Sequence, residues 1–342
     1  MIRISVIVLN WNGMSVIEEC IDSLLAQDYP AFEIIIVDNG STDGSTAKIE
    51  QKYQGKIQLI KNTKNLGFAE GCNVGIRASN AEFIALINSD AVVRKNWINE
   101  MVKAMDGDPS IGMAAGKIYF SGTENLIENT GHSVYRDGLG RGRGRLEKDT
   151  GQYDTNNRVF CPNGCAAFYR RKMMEEIGMF DKYFFAYADD IDVGFRGRLH
   201  QYECAYVPSA VAYHRLSSSF GLLSPFKAFL VERNRLWVLI KCFPMRHLLR
   251  APFYTAARYF YHLYGLVKHI GPASKYAEHL SLLSLMGIAI RVYLSTLWFL
   301  PYLIIQRIKV QSRSKASSKD FDEWFKLYGL TARETALNEI SY

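Results

Sequence analysis

Carboxylates at the ends of apolar runs are the residues of this chain best placed to do chemistry. In Val37-Asp38-Asn39-Gly40-Ser41-Thr42-Asp43, two carboxylates follow a β-branched run. An acid there can accept from a nucleobase N–H or a ribose hydroxyl, or it can simply cap a turn. Asp90 closes Ile87-Asn88-Ser89-Asp90. Such a carboxylate suits a divalent cation that bridges two phosphates, because Mg²⁺ takes hard oxygen ligands and Mn²⁺ tolerates an imidazole as well. An acidic turn would look the same. Asp189, Asp190 and Asp192 crowd together at what reads as a helix opening, where the dipole favours negative charge. One of them facing a partly desolvated cleft could take a proton from a substrate. His214 ends a later apolar stretch and reads either as a ligand or as a structural histidine.

The elements that must position these residues alternate. Apolar runs at 2–9, 32–37, 57–60, 82–87 and 111–119 read as strands. Between them, 3.6-period stretches at 16–25, 69–78 and 96–105, and a turn-capped one ending near Tyr53, read as helices. This predicts an α/β fold with a mostly parallel sheet covered on both faces. Ligands of such sheets sit beyond the carboxyl ends of the strands. Here those ends are Asn10-Trp11-Asn12, Asp38-Asn39-Gly40, residues 62–65 and Asn88-Ser89-Asp90, all polar. Further on, residues 164–171 read as a strand running into a helix, and 205–207 and 211–213 as two apolar stretches ending at His214.

Composition narrows the class. The chain has 342 residues, 48% hydrophobic and 22% charged, with 26 Gly and 9 Pro, which excludes collagen, a disordered tail and a small disulfide scaffold. Six scattered cysteines read as reduced thiols of a cytoplasmic protein, and Cys161-x3-Cys165 lacks a second pair for zinc. The N-terminus reads as a first strand rather than a signal peptide. Residues 226–315 carry 14 Lys and Arg against 2 Asp and Glu, which leaves the remainder of the +7 chain net acidic. That basic, aromatic-rich segment suggests an anionic membrane surface. The boundaries expected are therefore 1–225 for the catalytic domain and 226–342 for a helical extension and tail. Arg291 and Pro301 interrupt the most apolar window, 280–305, which predicts helices lying in the interface rather than a span. The run Gly138-Leu-Gly-Arg-Gly-Arg-Gly-Arg145 has no strand before it and no helix after it, and reads as a mobile loop or ribbon over the active site.

Taken in order, these motifs resemble the family-2 inverting glycosyltransferases of the GT-A fold, in the rhamnosyltransferase-like and galactofuranosyltransferase-like branch. The carriers are Ser5 through Gly13, Val37 through Asp43, Asn65-Leu-Gly-Phe-Ala-Glu-Gly-Cys-Asn73, Asn88-Ser89-Asp90, Gly164 through Arg171, Phe180-Asp181, residues 189–196 and His214. The resemblance implies that Asp38 contacts the base and Asp43 supports its turn, with Asn10, Asn12 and Gly40 beside them. It places Asn65, Gly67 and Asn73 in a segment closing over the nucleotide. It implies Mg²⁺ or Mn²⁺ at Asp90 and His214, with Asn88 where relatives carry another Asp. It makes Asp190 the catalytic base and Asp189 its acidic neighbour. The expected partners are a nucleoside-diphosphate-sugar donor, possibly dTDP-L-rhamnose, a saccharide or lipid-linked acceptor and the cytoplasmic face of the inner membrane. Homodimerisation stays open, and nucleic acid is not expected. A sugar nucleotidyltransferase should instead carry a Gly-rich, Arg-containing loop near residue 10, and a non-catalytic membrane module leaves the acidic motif positions unexplained.

Overall fold

The apolar runs and helical stretches become alternating strands and helices in the computed structural model, which describes residues 2–123, 125–216 and 224–338. The first half runs β1 (Ile4–Asn10), α1 (Ile17–Leu25), β2 (Phe32–Asp38), α2 (Ser45–Tyr53), β3 (Gln58–Lys61), α3 (Gly67–Ala78), β4 (Phe83–Asn88), β5 (Ala91–Val93), α4 (Trp97–Met105) and β6 (Ile111–Phe120). Then come the short strands β7 (Ile127–Asn129), β8 (His132–Val134) and β9 (Gly140–Gly142). They are followed by β10 (Ala166–Arg170), α5 (Arg171–Ile177), α6 (Asp189–Leu199) and β11 (Glu203–His214).

One sheet has the order β3-β2-β1-β4-β10-β6-β11-β5, with β7 paired to β6. Its N-terminal part, β3 to β4, is parallel as the βαβ alternation requires. β10 then enters antiparallel between β4 and β6, so the complete sheet is mixed. The register sets Asn10 beside Asp38, and Leu9 beside Asn88, which lines the polar strand ends along one edge. The central strands are buried on both faces, which explains why they read as unbroken Val/Ile/Leu runs. The stretches 205–207 and 211–213 prove to be one strand, β11, whose pairing with β6 shifts between Val207 and Val211. Pro208 lies in that interval and brings no N–H to the ladder.

The chain divides into two compact units. The first takes residues up to His132, Gly142–Gly197 and the described residues from Tyr202 onward to 216. The second takes Ser133–Arg141, Arg198–Gln201 and the described residues from 224. Two short segments that the sequence assigns to the catalytic part therefore fold with the C-terminal helices.

In that second unit the helices are α7 (Pro225–Cys242), α8 (Met245–Lys268), α9 (Gly271–His279), α10 (Leu282–Trp298), α11 (Leu300–Ser312), α12 (Ser318–Leu327) and α13 (Ala332–Leu337). Ser224 caps α7 by accepting from the Lys227 N–H, and Pro225 occupies its first turn. Asp137, fully buried, anchors Ser133–Arg141 to the helices by pairing with Arg258 at 2.8 Å and Arg235 at 3.4 Å. Glu232 pairs with the same two arginines. Burial works against the Glu232 charge, but Arg258 and Arg235 hold its carboxyl far below the ordinary range. The expected mobile loop over the active site is thus ordered in this part and tied down by buried charges. Arg258, one of the basic residues of the 226–315 segment expected to meet an anionic membrane surface, is itself enclosed in this network.

The apolar window breaks at Phe299, between α10 and α11. Phe299 packs on Trp237, and Pro301 sits in the first turn of α11, where its missing N–H costs nothing. Among the described helices none alone is long and apolar enough to cross a membrane, and only Gly271–His279 with Leu283–Trp298, bent by 112°, reaches that length and composition as a pair.

Candidate active site

All site residues discussed here belong to the first unit. Beyond β1 and β2, Asn10 donates its amide to Asp38 Oδ1 at 2.9 Å, Ser45 Oγ at 2.9 Å and Ser41 Oγ at 3.1 Å. The Ser41 N–H reaches Asp38 Oδ2 at 3.2 Å. Asp38 is 3% exposed and set by this net. Asn12, at φ +53°, accepts from the Thr42 N–H, and its own N–H donates to Ser41 Oγ. Asp43 accepts from the N–H groups of Met14 and Ser45 and from the Ser45 hydroxyl. Burial alone would raise the Asp43 pKa, but these donors bring it below its ordinary value. Asp43 and Asn12 therefore clip the two strand-end loops together. Gly40, at φ +77°, passes so close to the Lys64 backbone that a Cβ would sit 2.8 Å from it.

Asn39 links this loop to the next, donating to Asn65 Oδ1 at 2.9 Å and to the Gly67 carbonyl at 3.2 Å. Asn65 in turn accepts from the Gly67 N–H. Asn73 turns out differently from its expected contact with the nucleotide. Its amide donates to the Phe180 carbonyl at 2.9 Å and accepts from the Phe180 N–H at 3.0 Å. Both ends of the side chain hold the main chain that leads toward the acidic cluster.

That cluster opens α6 as the sequence suggests, after an approach in which Phe185, Tyr187 and Ala188 all have positive φ. Non-glycine residues in that region are held there by their surroundings, and such strain gathers at functional sites. The three acids separate in role. Asp192 pairs with Arg196 at 2.6 Å, one turn along. Asp189 is 5% exposed, and burial, then the neighbouring Asp190 charge, push its pKa well above the ordinary carboxylate value. Burial pushes Asp190 the same way, but His132 and the N–H groups of Gly164 and Ile191 bring it below the ordinary range. Those contacts are His132 Nε2 to Oδ2 at 2.9 Å, Gly164 N to Oδ2 at 3.2 Å and Ile191 N to Oδ1 at 2.8 Å. The Asp190 side chain keeps 14% of its surface open. Asp190 is an ionised carboxylate with part of its surface open, and Asp189 is its buried neighbour with a raised pKa.

The structure also brings together Asp90 and His214, which lie far apart in sequence. His214 Nε2 lies 3.2 Å from Asp90 Oδ1, and both residues are nearly buried. The other imidazole nitrogen, Nδ1, faces Glu128 Oε2 at 3.5 Å, and Arg145 pairs with Glu128 Oε1 at 2.7 Å. A carboxylate behind the imidazole of a metal-binding histidine is the usual way its ring is oriented. Among the described residues no three His, Cys, Asp or Glu side chains are arranged to hold an ion by themselves. Two ligands, one hard oxygen and one imidazole, fit a cation that takes its remaining ligands from a diphosphate and water. Burial disfavours charge on His214, while Cys165, Asp90 and Glu128 raise its pKa well above the ordinary value.

Glu128, His132 and Asn163 escape a reading of the sequence, and Arg145 is seen there only as part of the Gly-Arg run. Nothing in the spacing of the first three marks them.

The family model described as glycosyl transferase family 2 matches residues 5–178. The poly-beta-1,6-N-acetyl-D-glucosamine synthase of Staphylococcus epidermidis is 23% identical over 220 residues, 64% of this chain and 51% of that protein. Across the first curated relatives, the match spans between a quarter and about half of their length. Among solved structures, the mannosyltransferase of Pyrobaculum calidifontis in complex with GDP-Man and Mn²⁺ aligns with a TM-score of 0.52 at 20% identity, covering 90% of this chain and 87% of that one. S. aureus TarS 1–349 in complex with UDP aligns with a TM-score of 0.52 at 18% identity, covering 94% and 92%. These structural likenesses concern the fold, an α/β domain of the GT-A kind followed by helices.

Proposed function

The chain belongs to glycosyl transferase family 2, and from that premise we propose that it is an inverting glycosyltransferase, assisted by a divalent cation, that extends a bacterial cell-surface polysaccharide. The acceptor hydroxyl is a weak nucleophile. Asp190 takes its proton as the oxygen attacks the anomeric carbon from the face opposite the nucleoside diphosphate. The new C–O bond forms as the bond to the diphosphate breaks, so one displacement inverts the anomeric configuration. Asp38 is set to accept from the base, with Asn10, Asn12 and Asp43 holding the loops around it. A cation bound at Asp90 and His214 would supply positive charge against the departing diphosphate.

The observation that carries this reading is the setting of Asp190: His132 and the Gly164 and Ile191 N–H groups hold its carboxylate while 14% of the side chain stays open, and Asp189 beside it is enclosed. The donor proposed first is dTDP-L-rhamnose, on the sequence resemblance. UDP-sugars come second, favoured by the UDP in the TarS complex and the N-acetylglucosamine in the name of the S. epidermidis relative. The acceptor proposed is a growing lipid-linked saccharide at the cytoplasmic face of the inner membrane.

A panel containing dTDP-L-rhamnose and UDP-N-acetylglucosamine, assayed for nucleotide release with Mn²⁺, Mg²⁺ or chelator, tests this. Release from at least one donor, abolished by chelator, is expected. No turnover of any donor would sink the catalytic reading, and turnover indifferent to chelator would sink the cation's part in it.

A further inference from the structure

The Gly-Arg run and the turn before it have no part in the mechanism above, yet both belong to its framework. We propose that His132 is a positioning residue for the base, fixing the Asp190 carboxylate in the orientation from which it takes the acceptor proton, and that Arg143 of the Gly-Arg run holds His132 in place. This rests on the reading of Asp190 given above.

Three observations carry it. First, His132 Nε2 lies 2.9 Å from Asp190 Oδ2, and the two side chains are 10% and 14% exposed. Asn163 Nδ2 is also near that nitrogen, at 3.3 Å. The shorter contact, to a carboxylate, makes Nε2–H the donor to Asp190. Second, the backbone of the turn admits little freedom. The His132 N–H donates to the Cys161 carbonyl at 2.9 Å. Gly131 has φ +97°, and a Cβ there would lie 2.7 Å from Val159, so only glycine fits. Asn129 Oδ1 accepts from the Gly131 N–H. Third, Arg143 clamps the turn from outside. Its Nε donates to Thr130 Oγ1 and its terminal nitrogen to the Thr130 carbonyl, both at 3.0 Å, while its own carbonyl accepts from Thr130. The guanidinium lies 4.8 Å from the rings of both Tyr153 and Tyr206. An arginine engaged on three sides is a brace, and its placement accounts for part of the Gly-Arg run.

The consequence for Asp190 follows from its neighbours. It is the next residue after Asp189 and enclosed on most sides. A charge-assisted donor on Oδ2 fixes which way the carboxylate faces and favours its ionised form.

The test is a double-mutant cycle in the full-length protein, read as turnover of whichever panel donor is released fastest. UDP affinity and the thermal melt are measured alongside. His132→Ala should lower kcat by roughly tenfold or more in the wild-type background, with UDP affinity held within about twofold. In an Asp190→Asn background the same change should cost less than about twofold, because no carboxylate remains to be oriented. Equal losses in both backgrounds, or a His132→Ala enzyme within about twofold of wild type, would overturn the proposal. If His132→Ala has no cooperative melt, His132→Gln enters the same cycle under the same criterion. A wild-type chain that turns over no donor defeats the family-based mechanism instead, so the two failures are told apart.

Discussion

At the scale of single residues, the acidic pair makes a sharp prediction. Asp189 is enclosed, and its pKa is raised by burial and by the Asp190 charge, which disfavours its ionised form. An amide of the same shape fits such a site. Asp189→Asn should keep turnover within a few-fold of wild type. Asp190 has its pKa lowered, so at pH 7 it lies above its pKa and is charged. Asp190→Asn should cost at least ~10²-fold, the low end for loss of a general base, with UDP affinity retained. Measured kcat for the two variants decides it: a larger loss at Asp189 would reverse the assignment. Asp90, Asp190 and His214 stood out in the sequence because they lie at the boundaries of elements, in the turn after β4, at the start of α6 and at the end of β11. His132 and Glu128 did not, because their significance comes from contacts with residues 58 and 86 positions further along the chain, Asp190 and His214 respectively. Asn73, expected in a segment closing over the nucleotide, bonds the Phe180 main chain, because a polar residue in such a segment can serve a backbone as well as a ligand.

At the scale of elements, the parallel half of the sheet was legible because its strands, buried on both faces, are unbroken apolar runs. The antiparallel entry of β10 was not, since strand direction depends on long-range pairing and leaves no local pattern. The C-terminal helices carry the clearest unexplained surface. On α8, Leu249, Phe253, Phe260, Leu263 and Val267 are between 63% and 78% exposed, at spacings that fall on one face. Arg250 and Lys268 are exposed on the same helix. On α10, Leu283 and Trp298 are 80% and 83% exposed. Isolated apolar residues on a surface are ordinary, but a helix-long stripe with basic neighbours fits an anionic lipid surface. The full chain should therefore sediment with vesicles containing phosphatidylglycerol, release in part as salt rises, and bind phosphatidylcholine vesicles weakly. A Phe253→Glu, Phe260→Glu variant with an unchanged melt should lose most of that binding. Undiminished binding by this variant would show that the α8 face is not the contact.

At the scale of the whole molecule, the central claim is that a family-2 framework orients an acceptor hydroxyl and an ionised Asp190 on the face of the sugar opposite the nucleotide. Family membership rests on residues 5–178. The direction of attack is the part of the mechanism that every positioned residue serves, from the loops clipped by Asp43 to the turn behind His132. The most direct test is the anomeric configuration of the first product. Proton NMR is recorded on the glycoside formed from a donor of known configuration, in which the anomeric centre is locked by the glycosidic bond. The account predicts a product of configuration opposite to the donor's; a product that retains the donor's configuration would contradict single displacement with Asp190 as its base.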